Sequence, residues 1–142
     1  MSLSLYDLLS EKLPYLALKR EEPLSQHTSF RIGGPAEGMA FPRTQEELTA
    51  LLRAARELDV CPRLLGAGTN VLAPDEGLRG LVIVTRDCLV GLERRGERQI
   101  AAMSGVSMAK LALFAMEAGL TGLEFAHGIP GTVGGGVYMN AG

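Results

Sequence analysis

Residues 121–142 read TGLEFAHGIPGTVGGGVYMNAG, and the middle of that stretch, Gly128 to Gly136, places five glycines and Pro130 within nine residues. Pro130 fixes one backbone dihedral, while the glycines leave a nearly bare main-chain surface. Ordering so many glycines costs conformational entropy that a purely structural loop has to recover elsewhere. A large planar ligand lying close to the backbone gives such a segment its reason, so it is read as a ligand-facing loop.

Working outward, Ser107 is placed to cap a helix whose Met108, Leu111, Ala112 and Ala115 share one face and which stops at Gly119. Leu89 to Glu93 and Gln99 to Met103 flank the polar turn Arg94-Arg95-Gly96-Glu97 and predict a hairpin. Gly80 to Thr85 (GLVIVT) is a strongly apolar strand.

A second glycine loop, LLGAGTN at residues 64–70, follows the short strand Arg63-Leu64-Leu65. Gly66 and Gly68 allow successive N–H groups to point at an anion, and Thr69 and Asn70 add a hydroxyl and an amide. A pyrophosphate needs that donor set, although the loop taken alone reads equally as an ordinary tight connection. It is not the dinucleotide fingerprint of a Rossmann unit, because Pro74 forbids the long helix that should follow. Nor is there a GK[ST] sequence for a P-loop. A phosphate loop of another class is required.

Nearer the N-terminus, Leu5, Leu8 and Leu9 predict a short helix after Ser4, ended near Pro14. HTSFRIGGPAEGMAFP, residues 27–42, is expected as two extended pieces around a Gly33-Gly34-Pro35 turn. Thr44 and Glu47 form a capping box before Leu48, Leu51, Leu52, Ala55 and Leu58, which repeat at helical spacing until Pro62. Strand, helix, strand and glycine turn make an α/β unit. A soft boundary at Gly77 to Gly80 divides the chain into a first subdomain, residues 1–78, and a second, residues 79–142, with its own sheet. The end on Asn140-Ala141-Gly142, with no closing element, is read as a truncation point.

The chain has 142 residues, 46% hydrophobic and 21% charged, with a formal net charge of −2. Its basic residues are scattered, which gives no electrostatic support for nucleic acid or a membrane surface as partner. No apolar run approaches the roughly 20 residues of a spanning helix, and the N-terminus lacks the form of a secretory signal. A cytoplasmic protein is expected. Cys61 and Cys88 are expected as small buried thiols, and the chain supplies too few Cys and His for a metal site.

Three segments, HTSFRIGGPA, LLGAGTNVLAPDEGLRGLVI and GLEFAHGIPGTVGGGVYMNAG, resemble successive signatures of the UDP-N-acetylenolpyruvoylglucosamine reductases. The resemblance runs from about Leu24 to Gly142. It implies an α+β fold of the vanillyl-alcohol-oxidase (PCMH) type, made of two α/β subdomains with the second incomplete and the substrate domain absent. It implies non-covalent FAD, NADPH as reductant, and conversion of UDP-N-acetylglucosamine enolpyruvate to UDP-N-acetylmuramate. Carried over by motif, Gly66, Ala67, Gly68, Thr69, Asn70 and Val71 become the pyrophosphate loop. Gly128, Ile129, Pro130, Gly131, Thr132, Gly134 and Gly135 become flavin-side contacts, with Asn140 at the edge. Thr69 stands where the family most often has serine, which keeps the hydroxyl. The family's catalytic residues lie beyond residue 142, so no catalytic role falls on this chain.

Two alternatives remain beside this reading. One is another oxidase or dehydrogenase of the same fold, many of which bond the flavin covalently to a first-loop histidine. Here no Cys or His lies between Gly66 and Leu72. The other is a non-catalytic FAD-binding fragment. Among single residues, His127 is expected in a packed or hydrogen-bonded role, and His27 shows no evident partner. Arg31 is a candidate phosphate contact, with an ion pair as its alternative. Tyr138 and Met139 are expected in the core, and Arg94 to Arg98 in an exposed turn.

Overall fold

The computed structural model describes residues 2–142. Helix α1 (Leu5–Lys12) begins where Ser4 accepts from the Asp7 N–H while Asp7 accepts from the Ser4 N–H, a reciprocal cap. Strands β1 (Leu18–Pro23) and β2 (Pro35–Ala40) follow, then α2 (Gln45–Glu57), β3 (Arg63–Leu65) and β4 (Leu78–Val84). Thr44 caps α2 by accepting from the Glu47 N–H, but the Glu47 carboxylate accepts from the Arg43 N–H instead of closing the box on Thr44.

These strands form one sheet in the order β1-β2-β4-β3, with β1 antiparallel and the other neighbours parallel. Alternate residues of β4 serve its two faces. Leu81 and Ile83 pack with Leu9, Leu51, Ala54 and Ala55 beneath α1 and α2. Val82 and Val84 pack with Leu24, Met39, Leu65 and Ala73 on the other side. Period-2 geometry makes one apolar run fill both cores, and a strand buried on both faces belongs inside a parallel sheet.

That placement corrects the expectation that a second sheet opens at about residue 79. Strand β4 does not open a second sheet; it inserts between β2 and β3 in the first one. A local pattern shows that a strand wants two buried faces, yet not which neighbours supply them. Two further expectations are corrected. Residues 27–30 form bends and turns and 31–34 are irregular, and the extended partner of β2 is β1, whose LKREEP sequence hides a strand behind charge. Being an edge strand, β1 keeps three consecutive residues in solvent.

The second layer is smaller. The predicted hairpin forms from β5 (Leu92–Arg95) and β6 (Gln99–Ala102), with Arg95 opposite Gln99. Arg94 donates to the carbonyls of Gly96 and Glu97 in the turn, and to that of Ala118 at the end of α3 (Met108–Glu117). A cation meeting the last carbonyls of a helix is favourable, and here it docks the hairpin. Ser107 caps α3 as expected, by accepting from the Lys110 N–H. A 3-10 turn, Glu124–Gly128, then packs Ala126 onto Met108 and Ala112. The chain finishes with α4 (Val133–Tyr138). Within the glycine stretch 128–136, Gly128 therefore ends the 3-10 turn, residues 129–132 form the loop, and Gly134 to Gly136 lie in a short helix.

Candidate cofactor-binding site

The three glycine-bearing signatures meet in space. Gly68 is buried, with φ +69°, and a Cβ there would collide with the His27 carbonyl oxygen. The Ser29 N–H donates to the Gly68 carbonyl at 2.9 Å. Segment 27–29 thus runs against the first loop with no room for a side chain between them, which is the physical reason for glycine at 68. Farther along, the Gly34 N–H donates to the Pro74 carbonyl at 2.9 Å, closing the first signature onto the end of the same loop.

The two glycine loops interlock reciprocally. The Thr69 hydroxyl donates to the Pro130 carbonyl at 3.2 Å, and a Cβ on Gly131 would lie 2.8 Å from that hydroxyl oxygen. In the opposite direction, a Cβ on Gly66 would lie 2.7 Å from the Thr132 hydroxyl oxygen. Each loop sets a threonine over a glycine of the other.

The donor inventory differs between the loops. Among the described residues, the N–H groups of Gly66 to Asn70 donate to no protein acceptor. A run of unclaimed main-chain donors on a glycine turn fits an anion such as a pyrophosphate. In the second loop the N–H groups of Val133, Gly134 and Gly135 are already committed to Val106, Ser104 and the Thr132 hydroxyl. A Cβ on Gly134 would meet the Cβ of Ser104 at 2.9 Å, so that glycine answers a protein contact. Gly128 has no atom within 4 Å of a built Cβ, so packing gives no reason for glycine there. The second loop therefore offers surface more than donors.

Of the residues expected at the site, 66–70 and 130–132 come together. Val71 turns into the core beside Val82 and Ala73, and Ile129 packs on the Met108 cluster. Asn140 lies past the far end of α4, exposed, with φ +50°. Tyr138 and Met139 are corrected outright: they are 88% and 53% exposed because α4 covers the Met108 cluster with Val133 and leaves its last turn facing outward. The His127 side chain is exposed and makes no hydrogen bond among the described residues, where a packed or hydrogen-bonded role was expected. Arg31 is exposed, with φ +54°, and forms no ion pair among them.

His27 is the site-adjacent residue that sequence reasoning left without a partner. Its Nε2 lies 2.8 Å from Glu22 Oε1, both side chains are mostly buried, and its ring stands 5.4 Å from that of Phe41. Burial alone raises the Glu22 pKa, but hydrogen bonds from His27 and Lys19 outweigh it and hold the carboxyl below its ordinary value. The signal available beforehand was the order Glu22, Pro23, His27, a carboxylate and an imidazole on either side of a turn. Cys88 is buried and its thiol is pushed up by that burial, whereas Cys61 is exposed, contrary to expectation. No group of three or more His, Cys, Asp or Glu side chains among the described residues is arranged to hold a metal. None of their helices is long and apolar enough to cross a membrane.

A parallel-cored sheet carrying a glycine loop with free main-chain donors and no Rossmann helix after it, interlocked with a second glycine loop, fits a nucleotide-cofactor-binding domain outside the Rossmann and P-loop classes. A family model described as an FAD binding domain matches residues 36–142. The chain belongs to that FAD-binding domain family. It is 42% identical over 134 residues to the UDP-N-acetylenolpyruvoylglucosamine reductase of Listeria innocua, covering 94% of this chain and 44% of that protein. Against the reductase of the same name from Bacillus subtilis it is 45% identical over 121 residues, 85% of this chain and 40% of that protein.

The crystal structure of the UDP-N-acetylenolpyruvylglucosamine reductase from Thermus caldophilus superposes with a TM-score of 0.65 at 32% identity, covering 90% of this chain and 44% of that one. An alkyldihydroxyacetonephosphate synthase superposes equally well, TM-score 0.65, over 91% of this chain and 28% of that one. At 16% identity the second likeness shows the fold alone. The fold is the α+β flavin-binding type that the three signatures implied. The chain spans less than half the length of these relatives.

Proposed function

We propose that this chain is the FAD-holding part of an NADPH-dependent reductase that converts UDP-N-acetylglucosamine enolpyruvate to UDP-N-acetylmuramate in peptidoglycan precursor synthesis. One observation carries the reading: consecutive unclaimed N–H groups at Gly66 to Asn70, on a loop interlocked with a second, glycine-rich one. The names of the relatives at 42% and 45% identity support the choice of reaction.

Bound FAD supplies two-electron redox chemistry that no side chain provides. The residues here bind and orient. Gly66, Ala67, Gly68, Thr69, Asn70 and Val71 make the pyrophosphate loop, with Val71 anchoring it to the core. Gly128, Ile129, Pro130, Gly131, Thr132, Gly134 and Gly135 form the flavin-side surface, and Asn140 its edge. The flavin is held without a covalent bond, since no nucleophilic Cys or His lies in the first loop. We assign no catalytic residue and no metal to residues 1–142. The proposed nucleotide-sugar substrate and NADPH place the reaction in the cytoplasm.

The test compares ligands that share an isoalloxazine and differ in the pyrophosphate. FAD should bind at least about tenfold more tightly than riboflavin, a difference of about 1.4 kcal/mol, read from quenching of flavin fluorescence. Equal affinities overturn the assignment of the 66–70 donors.

A further inference from the structure

Among the described residues, Thr132 is one of three buried polar side chains, and it is 5% exposed. Its hydroxyl accepts from the Gly135 N–H at 3.2 Å, which starts α4. Around it, segment 131–134 is fastened to segment 104–108. Met108 N–H donates to the Gly131 carbonyl, Val133 N–H to Val106 and Gly134 N–H to Ser104, at 3.0, 2.7 and 2.9 Å. Thr132 also bridges Ser107. The second loop is thus a rigid part of the α3 layer.

The first loop belongs to the other layer. It leaves β3 at Leu65, whose carbonyl accepts from the Thr85 N–H at 2.9 Å. Gly66 is the next residue, and it is there that the Thr132 hydroxyl rests. The contact between residues 66 and 132 therefore joins the two layers at the start of the donor run.

We propose that Thr132 is a positioning residue for the first loop, its hydroxyl seated on Gly66 and setting where the N–H groups of residues 66–70 stand. The inference rests on the reading that this loop holds the FAD pyrophosphate. Its physical content is a spacing. A Cβ at Gly66 would stand 2.7 Å from the Thr132 oxygen, where ordinary contact begins at 3.4 Å, so the loops have to part by about 0.7 Å. Hydrogen bonds to an anion tolerate only a few tenths of an ångström before weakening.

The geometry also predicts the sign of a compensation. Removing the Thr132 hydroxyl makes room for a Cβ at Gly66, because the Thr132 Cβ itself would lie 3.7 Å away. The full chain is compared as wild type, Gly66→Ala, Thr132→Ala, the double variant and Thr132→Ser, by FAD fluorescence titration. Each alanine variant alone is expected to weaken FAD by about tenfold, with Thr132→Ser near wild type. The double variant should bind several-fold more tightly than Gly66→Ala. Losses that simply add overturn the proposal, as does Thr132→Ser failing like Thr132→Ala.

Backbone 15N order parameters at residues 66–70 read the same coupling without flavin. Lower order parameters there in Thr132→Ala, with unchanged values in β4, are expected; unchanged loop values overturn the proposal. If wild type binds no FAD at all, the functional reading fails, and the relaxation experiment still decides the role of Thr132.

Discussion

Thr69 Oγ1 donates to the carbonyl oxygen of Pro130 at 3.2 Å, across 61 residues of sequence. The hydroxyl that a motif reading gives to a phosphate is spent in this structure on the other glycine loop. Among the described residues, the main-chain donors of the first loop and the Asn70 amide remain free, and Thr69 becomes a tie between the two loops.

Replacing Thr69 by valine keeps its shape and removes that tie. The free protein should lose about 0.5–1.5 kcal/mol of stability, the net worth of one hydrogen bond, and FAD affinity should fall by about five- to tenfold as the loops loosen. A large loss of stability with unchanged flavin affinity would contradict this role.

Gly68 and Gly96 separate backbone strain from close approach. Their φ values are +69° and +68°, but Gly96 has open space around a built Cβ and Gly68 faces the His27 carbonyl. Gly96→Ala should cost about 1–2 kcal/mol from the left-handed conformation alone, and Gly68→Ala about 3 kcal/mol or more once overpacking is added. Urea unfolding measures both. Equal costs would mean that segment 27–29 yields freely.

Stability should fall on the acid side. Glu22 sits below its ordinary 4.5, because hydrogen bonds from His27 and Lys19 outweigh the opposing effect of burial. A carboxyl depressed in the folded state gives stability that is whole above its unfolded pKa and is lost as pH falls through the folded value. The urea midpoint should therefore hold from neutrality to about pH 5 and decline below it. Glu22→Gln should lower stability at neutral pH and flatten that decline. An unchanged slope in the variant would place the acid sensitivity elsewhere.

Acid precipitation of the flavin-loaded protein should leave the yellow colour in the supernatant, since no Cys or His lies between Gly66 and Leu72 to bond it. Colour retained in the pellet would count against the non-covalent assignment.

With FAD, NADPH and UDP-N-acetylglucosamine enolpyruvate, residues 1–142 should show no substrate-dependent NADPH oxidation. Lacking a positioned proton donor alone costs about 10²–10⁴-fold, and exposed His127 has no partner among the described residues to position it. Turnover within about tenfold of a longer relative would overturn the empty catalytic assignment.

The local elements were legible in the sequence because their causes are local. Ser4, Thr44 and Ser107 cap helices by bonds to residues three positions on. Gly96 turns the hairpin, and the alternation of Leu81 to Val84 marks a strand with two apolar faces. The glycine signatures were legible through their resemblance to the reductase family, although in the structure Gly66, Gly68, Gly131 and Gly134 each answer a close protein contact.

Only the tertiary structure decided which surfaces meet. Insertion of β4 between β2 and β3, a strand in charged LKREEP, the pairing of His27 with Glu22, and the exposure of Tyr138 all depend on partners distant in sequence or on which face a neighbour covers. So does the interlock of Thr69 with Gly131 and of Thr132 with Gly66. Caps and turns are fixed by bonds over three or four residues, whereas these contacts arise where two layers pack to van der Waals distance, and their chemistry exists only once the layers have met.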